Sequence, residues 1–126
     1  MTNAFIFPGQ GSQKVGMGKD LYDNFPVAKE VFQEVDDALS INLSRIIFEG
    51  EEEELKLTIN TQPALMTVSF AIVKVIEEFI GKNISEVGKF TAGHSLGEYS
   101  ALVSARSIKL KDAAIILRLR GEFMQN

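Results

Sequence analysis

The chain contains no cysteine, a single histidine (His94) and only three prolines in 126 residues. Without cysteine there is no disulfide framework and no thiolate metal site, and no metal is expected. With one histidine, a serine nucleophile has one candidate imidazole base within this sequence. A long uncharged apolar run is also lacking. The most apolar stretch, Pro63 to Ile80, is broken by Lys74, Glu77 and Glu78, which fits a buried helix better than a bilayer span. The first residues show no basic flank leading into an apolar core, the pattern of a secretory signal. A cytoplasmic protein without a membrane partner is expected. No nucleic-acid motif is present, and the net charge of −4 argues against nucleic acid as a partner.

What is present fits one ordinary domain with a core, since 45% of residues are hydrophobic and 24% charged. The charge is uneven. Residues 30–54 carry nine acids against Arg45 alone, whereas from Lys82 onward seven bases face four acids. The acidic segment reads as a solvated helical face. The basic end is a weak pointer to an acidic or phosphorylated partner.

Along the chain, Ala4-Phe5-Ile6-Phe7 is a short apolar run stopped by Pro8-Gly9, which predicts a buried strand running into a loop. A Gly-rich loop follows, Gly9 to Gly18. Pro26 opens a helix whose Val27, Val31, Val35, Ala38 and Leu39 share one stripe. Short helical pieces are expected at Leu43 to Phe48 and Glu51 to Leu57. Thr61 is a candidate cap for the apolar helix running to Ile80, with Gly81 as its terminator. A second strand, Lys89 to Ala92, precedes a helix from Leu96 to Ala105, and a last helix starts at Leu110. Strands alternating with helices predict a layered α/β fold with parallel strands. Two evident strands are few for a self-sufficient sheet.

Gly93-His94-Ser95-Leu96-Gly97 lies at the second strand-to-helix junction. G-x-S-x-G at such a junction describes a nucleophile elbow, in which the serine projects its hydroxyl from a tight turn. The unpaired amides at the start of the next helix can stabilise an oxyanion. The loop Phe7-Pro8-Gly9-Gln10-Gly11-Ser12-Gln13 fails both phosphate-loop tests. A dinucleotide fingerprint needs glycine where Lys14 stands, and a Walker loop from Gly11 needs lysine where Met17 stands. Beside an elbow, the loop takes another meaning. Serine acyl-transfer sites draw one oxyanion donor from the residue after the nucleophile and another from a loop after a different strand. The N–H groups of Leu96 and Gln10 fit those places. His94 is badly placed to take the Ser95 proton, because neighbours on a tight turn point apart, and it is expected to shape the pocket wall. The sequence therefore lacks a complete triad. Arg118 and Arg120, two apart on a helix, face different ways, so at most one looks toward the elbow. An arginine there suits a substrate carboxylate, which its planar fork binds bidentately.

Together these segments resemble the malonyl-CoA:acyl carrier protein transacylase family. The matching blocks are Phe7 to Gln13 with Gly16-Met17-Gly18, Asn60-Thr61-Gln62-Pro63-Ala64-Leu65, Gly93 to Leu102, and Arg120-Gly121-Glu122-Phe123-Met124-Gln125. The resemblance implies a partial three-layer α/β-hydrolase-like acyltransferase core, with residues 1–126 as the amino-terminal portion of the acyltransferase α/β domain and the family's ferredoxin-like subdomain absent. It implies ping-pong transfer of a malonyl group from malonyl-CoA to the phosphopantetheine thiol of acyl carrier protein in fatty-acid biosynthesis, with no separate cofactor. Ser95 would carry the malonyl ester, Gln10 and Leu96 the oxyanion, and Arg120 the malonyl carboxylate. Gln62 and His94 would complete the substrate-binding wall, and Arg118 would stay at the surface. The family's catalytic histidine and its supporting glutamine are not among these residues, so little activity is expected of the chain alone.

Two departures stand beside the match. Arg106 replaces the usual glycine at a helix end, where a left-handed backbone costs a side chain on the order of 1 kcal/mol. Lys109 replaces a frequent serine cap, losing about 1 kcal/mol. A serine hydrolase or thioesterase using the same elbow is the alternative enzyme. A split-gene fragment, inactive or paired with a second chain carrying the other half, is the non-enzymatic one. Either way, an apolar face is expected to lie uncovered.

Overall fold

The computed structural model describes residues 4–88, 90–93 and 95–125, with backbone alone at 90–92. Among the described residues the order is β1 (Ala4–Phe7), α1 (Lys19–Asn24), α2 (Pro26–Leu39), α3 (Leu43–Glu49), α4 (Glu52–Lys56), α5 (Thr58–Ile80), α6 (Ile84–Val87), β2 (Phe90–Gly93), α7 (Gly97–Ser104) and α8 (Leu110–Gln125). The two strands pair in parallel, with Ala4 opposite Phe90 and Phe7 opposite Gly93. This is the α/β alternation that the sequence predicts. The short helices α1 and α6 lack a clear periodic signal and were not anticipated. Lys89, placed in the second strand by sequence, lies outside the described residues.

α5 is the central element. It packs most extensively on α8 and then on α2 and α7, and buried residues cover more than one of its faces, among them Leu65, Met66, Phe70 and Val73. A helix that is apolar nearly all round belongs in a core. No helix among the described residues is long and apolar enough to cross a membrane.

α2 begins at Pro26, as predicted, but its buried stripe is Ala28, Val31, Phe32 and Val35. Val27, Ala38 and Leu39 are only half-buried flanks. The stripe is rotated by Phe32, whose ring meets Tyr22 and Phe48 with centroids 5.7 and 5.0 Å away. Burying an aromatic ring of that size contributes about 3 kcal/mol, more than a valine on the neighbouring face can offset. The acids of 30–54 are mostly exposed, as expected. Asp36 differs: its carboxylate accepts from Ser44 N–H at 3.0 Å and from Ser44 Oγ at 2.5 Å, tying α3 to α2.

α5 starts four residues earlier than sequence indicates, its cap position being Leu57 and not Thr61. Thr61 is fully buried and its hydroxyl donates to the Leu55 carbonyl, while Asn60 Nδ2 donates to Glu54 O at 2.9 Å. Both side chains serve the end of α4 instead of the start of α5. The break lies at Leu57, whose extended ψ of 129° separates the helices. Gly81 ends α5 at φ 73°, its N–H reaching Glu77 O at 2.9 Å.

α8 buries Leu110, Ala113, Ala114, Leu117 and Gly121. Its other side carries Ile115, Ile116, Leu119 and Phe123 into solvent, with Phe123 81% exposed, and Ile6 on β1 is 80% exposed. Apolar surface of this kind marks a face built to be covered.

Candidate active site at the strand ends

Because β1 and β2 run parallel and Phe7 pairs with Gly93, the Pro8–Gln10 loop and the Ser95 turn leave the sheet at the same end. The turn is packed hard against that exit. A Cβ on Gly97 would strike the Phe7 carbonyl and lie 3.1 Å from Pro8 O, and one on Gly93 would strike the Gly97 backbone. The elbow glycines are therefore required by close approach, not by a positive φ. The residue with positive φ is Ser95 itself, at 56°. A non-glycine residue in this region is held there by its surroundings.

Ser95 is exposed, with its hydroxyl at the surface of the elbow. The backbone ladder of α7 opens with Glu98 N–H to Ser95 O at 3.0 Å and Tyr99 N–H to Leu96 O at 2.9 Å. Leu96 and Gly97 N–H lie ahead of that ladder, where a helix presents free donors. In the opposing loop, Ser12 N–H takes Gly9 O at 3.4 Å and Gly11 N–H takes Gln13 Oε1 at 2.7 Å.

Four of the six residues singled out from sequence form one hydrogen-bonded chain. Arg120 Nη2 donates to Ser95 Oγ at 2.9 Å. Arg120 Nη1 donates to Gln62 Oε1. Gln62 is fully buried in α5, and its Nε2 donates to Gln10 Oε1 at 3.0 Å. Gln10 Nε2 then donates to Thr58 Oγ1 at 3.3 Å. Leu96, the fifth, is buried beside Ser95, its side chain anchoring the turn. His94, the sixth, lies outside the described residues.

Sequence reading missed two contributors and misplaced one. Tyr99 lies under the Arg120 guanidinium, whose central carbon is 5.9 Å from the ring centroid. It lies in the first turn of α7, while Ser95 stands before that helix with a left-handed backbone, so helical spacing gave no signal for it. Thr58 closes the chain at Gln10, and nothing local marks it. Arg118 is not a free surface residue: it is half-buried, and its Nη1 donates to Asn60 Oδ1 at 2.7 Å and Ile59 O at 3.4 Å. Burial pushes its guanidinium below the ordinary arginine value, with Glu122 opposing. The two arginines do face different ways, as their spacing requires.

Chemically, the arrangement offers a serine hydroxyl beside a fixed cation, with donor groups on two loops. Arg120 is half-buried, and a guanidinium held in this way suits an anion. A developing oxyanion or a substrate carboxylate would fit.

Comparison with known proteins gives a consistent picture. Residues 4–126 match the acyl transferase domain family. The malonyl CoA-acyl carrier protein transacylase of Bacillus subtilis (strain 168) is 57% identical over 121 residues, which is 96% of this chain and 37% of that protein. The protein of the same name from Salmonella typhimurium is 47% identical over 122 residues, 97% of this chain and 38% of its own length. Among solved structures, an acyl-carrier-protein-S-malonyltransferase from Bartonella henselae superposes with a TM-score of 0.96 at 58% identity, covering 99% of this chain and 40% of that one. A malonyl-transacylase in complex with a type II PKS acyl-carrier protein gives 0.90 at 47% identity, with 99% of this chain and 39% of that chain covered. This chain thus spans about two fifths of the length of these relatives.

Proposed function

We propose, from the premise that this chain belongs to the acyl transferase domain family, that it carries the nucleophile of a malonyl transfer from malonyl-CoA to the phosphopantetheine thiol of acyl carrier protein, a step of fatty-acid biosynthesis. The observation that carries this reading is the 2.9 Å contact between Arg120 Nη2 and Ser95 Oγ. A malonyl group esterified to Ser95 places its free carboxylate about 4 Å from Oγ by ordinary bond lengths. A guanidinium already at Oγ therefore needs only a small shift to receive that carboxylate in its fork.

In the first half-reaction, Ser95 Oγ forms a bond to the thioester carbonyl carbon. The carbon–sulfur bond breaks, and CoA leaves with the proton that the hydroxyl gives up. Gln10 and Leu96 N–H would hold the oxyanion between these events. In the second, the carrier thiol attacks the malonyl-serine ester and Ser95 regains a proton. The base for both transfers comes from outside residues 1–126, because the only histidine here adjoins Ser95 on a turn. It would belong to further polypeptide, in the same chain or a second one, which would also cover Ile6 and Phe123. On this reading residues 1–126 are the amino-terminal portion of a cytoplasmic acyltransferase's α/β domain, with a three-layer α/β-hydrolase-like core.

Arg120 argues against a general hydrolase or thioesterase, which has no use for a cation at the acyl group. The test is acylation of Ser95 by malonyl-CoA and by acetyl-CoA, followed by mass spectrometry of the intact chain. Arg120→Ala is expected to lower the malonyl-to-acetyl ratio by about 10- to 10²-fold, the scale for losing a hydrogen bond to a charged group. An unchanged ratio would show that Arg120 does not read the carboxylate.

A further inference from the structure

Pro63 lies inside α5, six residues into the helix. Its ring nitrogen has no hydrogen, so the carbonyl four residues back, Ile59 O, loses its helical donor. A carbonyl in a packed interface finds another donor or weakens the interface. Here the donor comes from α8: Arg118 Nη1 reaches Ile59 O at 3.4 Å and Asn60 Oδ1 at 2.7 Å. Asn60, itself buried, passes the link on to Glu54 O.

The contact belongs to a clamp along one face of α8. Three residues after Arg118, Gly121 presses backbone on backbone: a Cβ there would lie 2.6 Å from Ile59 Cα and 2.8 Å from Thr58 O. Four residues further, Gln125 Oε1 accepts from Ile59 N–H at 3.1 Å. That bond serves a first-turn amide of α5, whose own cap position, Leu57, supplies no side-chain bond. Positions 118, 121 and 125 share a helical face and all grip the first turn of α5. Arg120 leaves α8 on a different bearing, toward Gln62 and Ser95. The result is two rungs between the same helices: Arg118 to Asn60, and two residues on along both helices, Arg120 to Gln62.

We propose that Arg118 is a positioning residue: by taking the carbonyl that Pro63 leaves free, it sets the register of α8 on α5 and so fixes how far Arg120 reaches toward Ser95. The inference rests on the malonyl reading for its consequence, selectivity for acyl groups bearing a carboxylate. Its geometry is independent of that reading. A lysine at 118 keeps the charge but replaces the rigid, planar guanidinium, whose Nη1 serves both acceptors, with a compact ammonium on a flexible stem.

The test uses the full chain with Arg118→Ala, Arg118→Lys and the double variant Arg118→Ala/Pro63→Ala, in which an N–H is restored for Ile59 O. Two readouts are followed: the Arg120 Nε–H resonance by NMR, and the malonyl-to-acetyl ratio of Ser95 loading. Arg118→Ala is expected to shift or broaden the Arg120 resonance and lower the ratio about tenfold, with acetyl loading held within about twofold, the scale for a small misplacement of a binding group. Arg118→Lys should fall between, and the double variant should recover part of the resonance and of the ratio. An Arg120 resonance unmoved by Arg118→Ala overturns the proposal. So does an equal fall in malonyl and acetyl loading, which marks a purely structural role. If Arg120→Ala itself leaves the ratio unchanged, the malonyl reading fails, and the positioning proposal then stands or falls on the resonance alone.

Discussion

The two ends of α7 (Gly97–Ser104) pose the same conformational problem and solve it in opposite ways. Just before the helix, Ser95 is left-handed at φ 56°, and just after it Arg106 is left-handed at φ 63°. Neither is glycine, so each position costs on the order of 1 kcal/mol that its surroundings must offset. At Ser95 the offset is steric. Gly93 and Gly97 let the turn fold onto itself and onto the exit of β1, and the serine side chain stays exposed, free to react. At Arg106 the offset is electrostatic. Its N–H takes Val103 O at 3.0 Å and the next N–H, from Ser107, takes Leu102 O at 2.8 Å, a Schellman closure. The side chain then lies over the Phe70 ring at 5.0 Å and pairs with Glu77. Glu77 is buried and also accepts from Ile84 N–H at 3.0 Å, so the pair joins the ends of α5 and α7 to the start of α6. Strain is kept where the side chain must be available and is tied down where it is not.

The comparison breaks most visibly at Gly97. Alanine is the better helix former by about 1 kcal/mol, so propensity alone predicts stabilisation by Gly97→Ala. The added methyl would meet the Phe7 carbonyl, a backbone atom that cannot rotate away. The clash is expected to win, with a loss on the order of 3 kcal/mol in denaturant unfolding and no acylation of Ser95. Wild-type stability in that variant would show that the elbow does not depend on contact with β1.

A medium effect is expected at the other end. Arg106→Gly relieves the left-handed penalty but strands the Glu77 carboxylate, whose side chain is 7% exposed. Breaking a fully buried pair costs about 3–5 kcal/mol. Because the Arg106 side chain is 36% exposed and Ile84 N–H keeps one bond to Glu77, the net loss should be about 1–2 kcal/mol. Adding Glu77→Gln should recover most of it, and the cycle among the three variants measures the coupling. A gain in stability for Arg106→Gly alone would mean that the ion pair does not offset the backbone cost.

How much of this was legible in the sequence follows from the range of each interaction. The position of β1 was readable because Pro8-Gly9 ends an apolar run locally, and α2 because Pro26 starts it. The burial expected of β1 was not met, since only Phe7 is buried and Ile6 is 80% exposed. Thr61 was misread as a cap because its hydroxyl is taken by Leu55 O, a contact made by the chain's path through α4. The site was more legible than the packing: Ser95, Gln10, Gln62 and Arg120, picked out in separate segments, meet in one hydrogen-bonded chain. Arg118 was read as a surface charge because its partners lie 58 and 59 residues away, and its need for them arises from Pro63. A left-handed backbone at Arg106, now seen at φ 63°, was raised only conditionally, through the glycine that the resembling family places there. Its partner Glu77, 29 residues distant, carried no local sign.

The smallest effect tests the steric half of the comparison directly. Ser95→Ala and Ser95→Gly both remove the hydroxyl, so both lose the Arg120 contact and all acylation. They differ in the backbone. Alanine keeps the left-handed penalty, whereas glycine is free of it but gains conformational freedom in the unfolded chain. The first term is about 1–2 kcal/mol and the second about 0.5–1 kcal/mol. Glycine should therefore be the more stable of the two by about 0.5–1 kcal/mol, read as a higher midpoint in denaturant at equal slope. If alanine is as stable as glycine, the packing of Gly93 and Gly97 is not what holds Ser95 at φ 56°, and the two ends of α7 do not differ in the way their contacts imply.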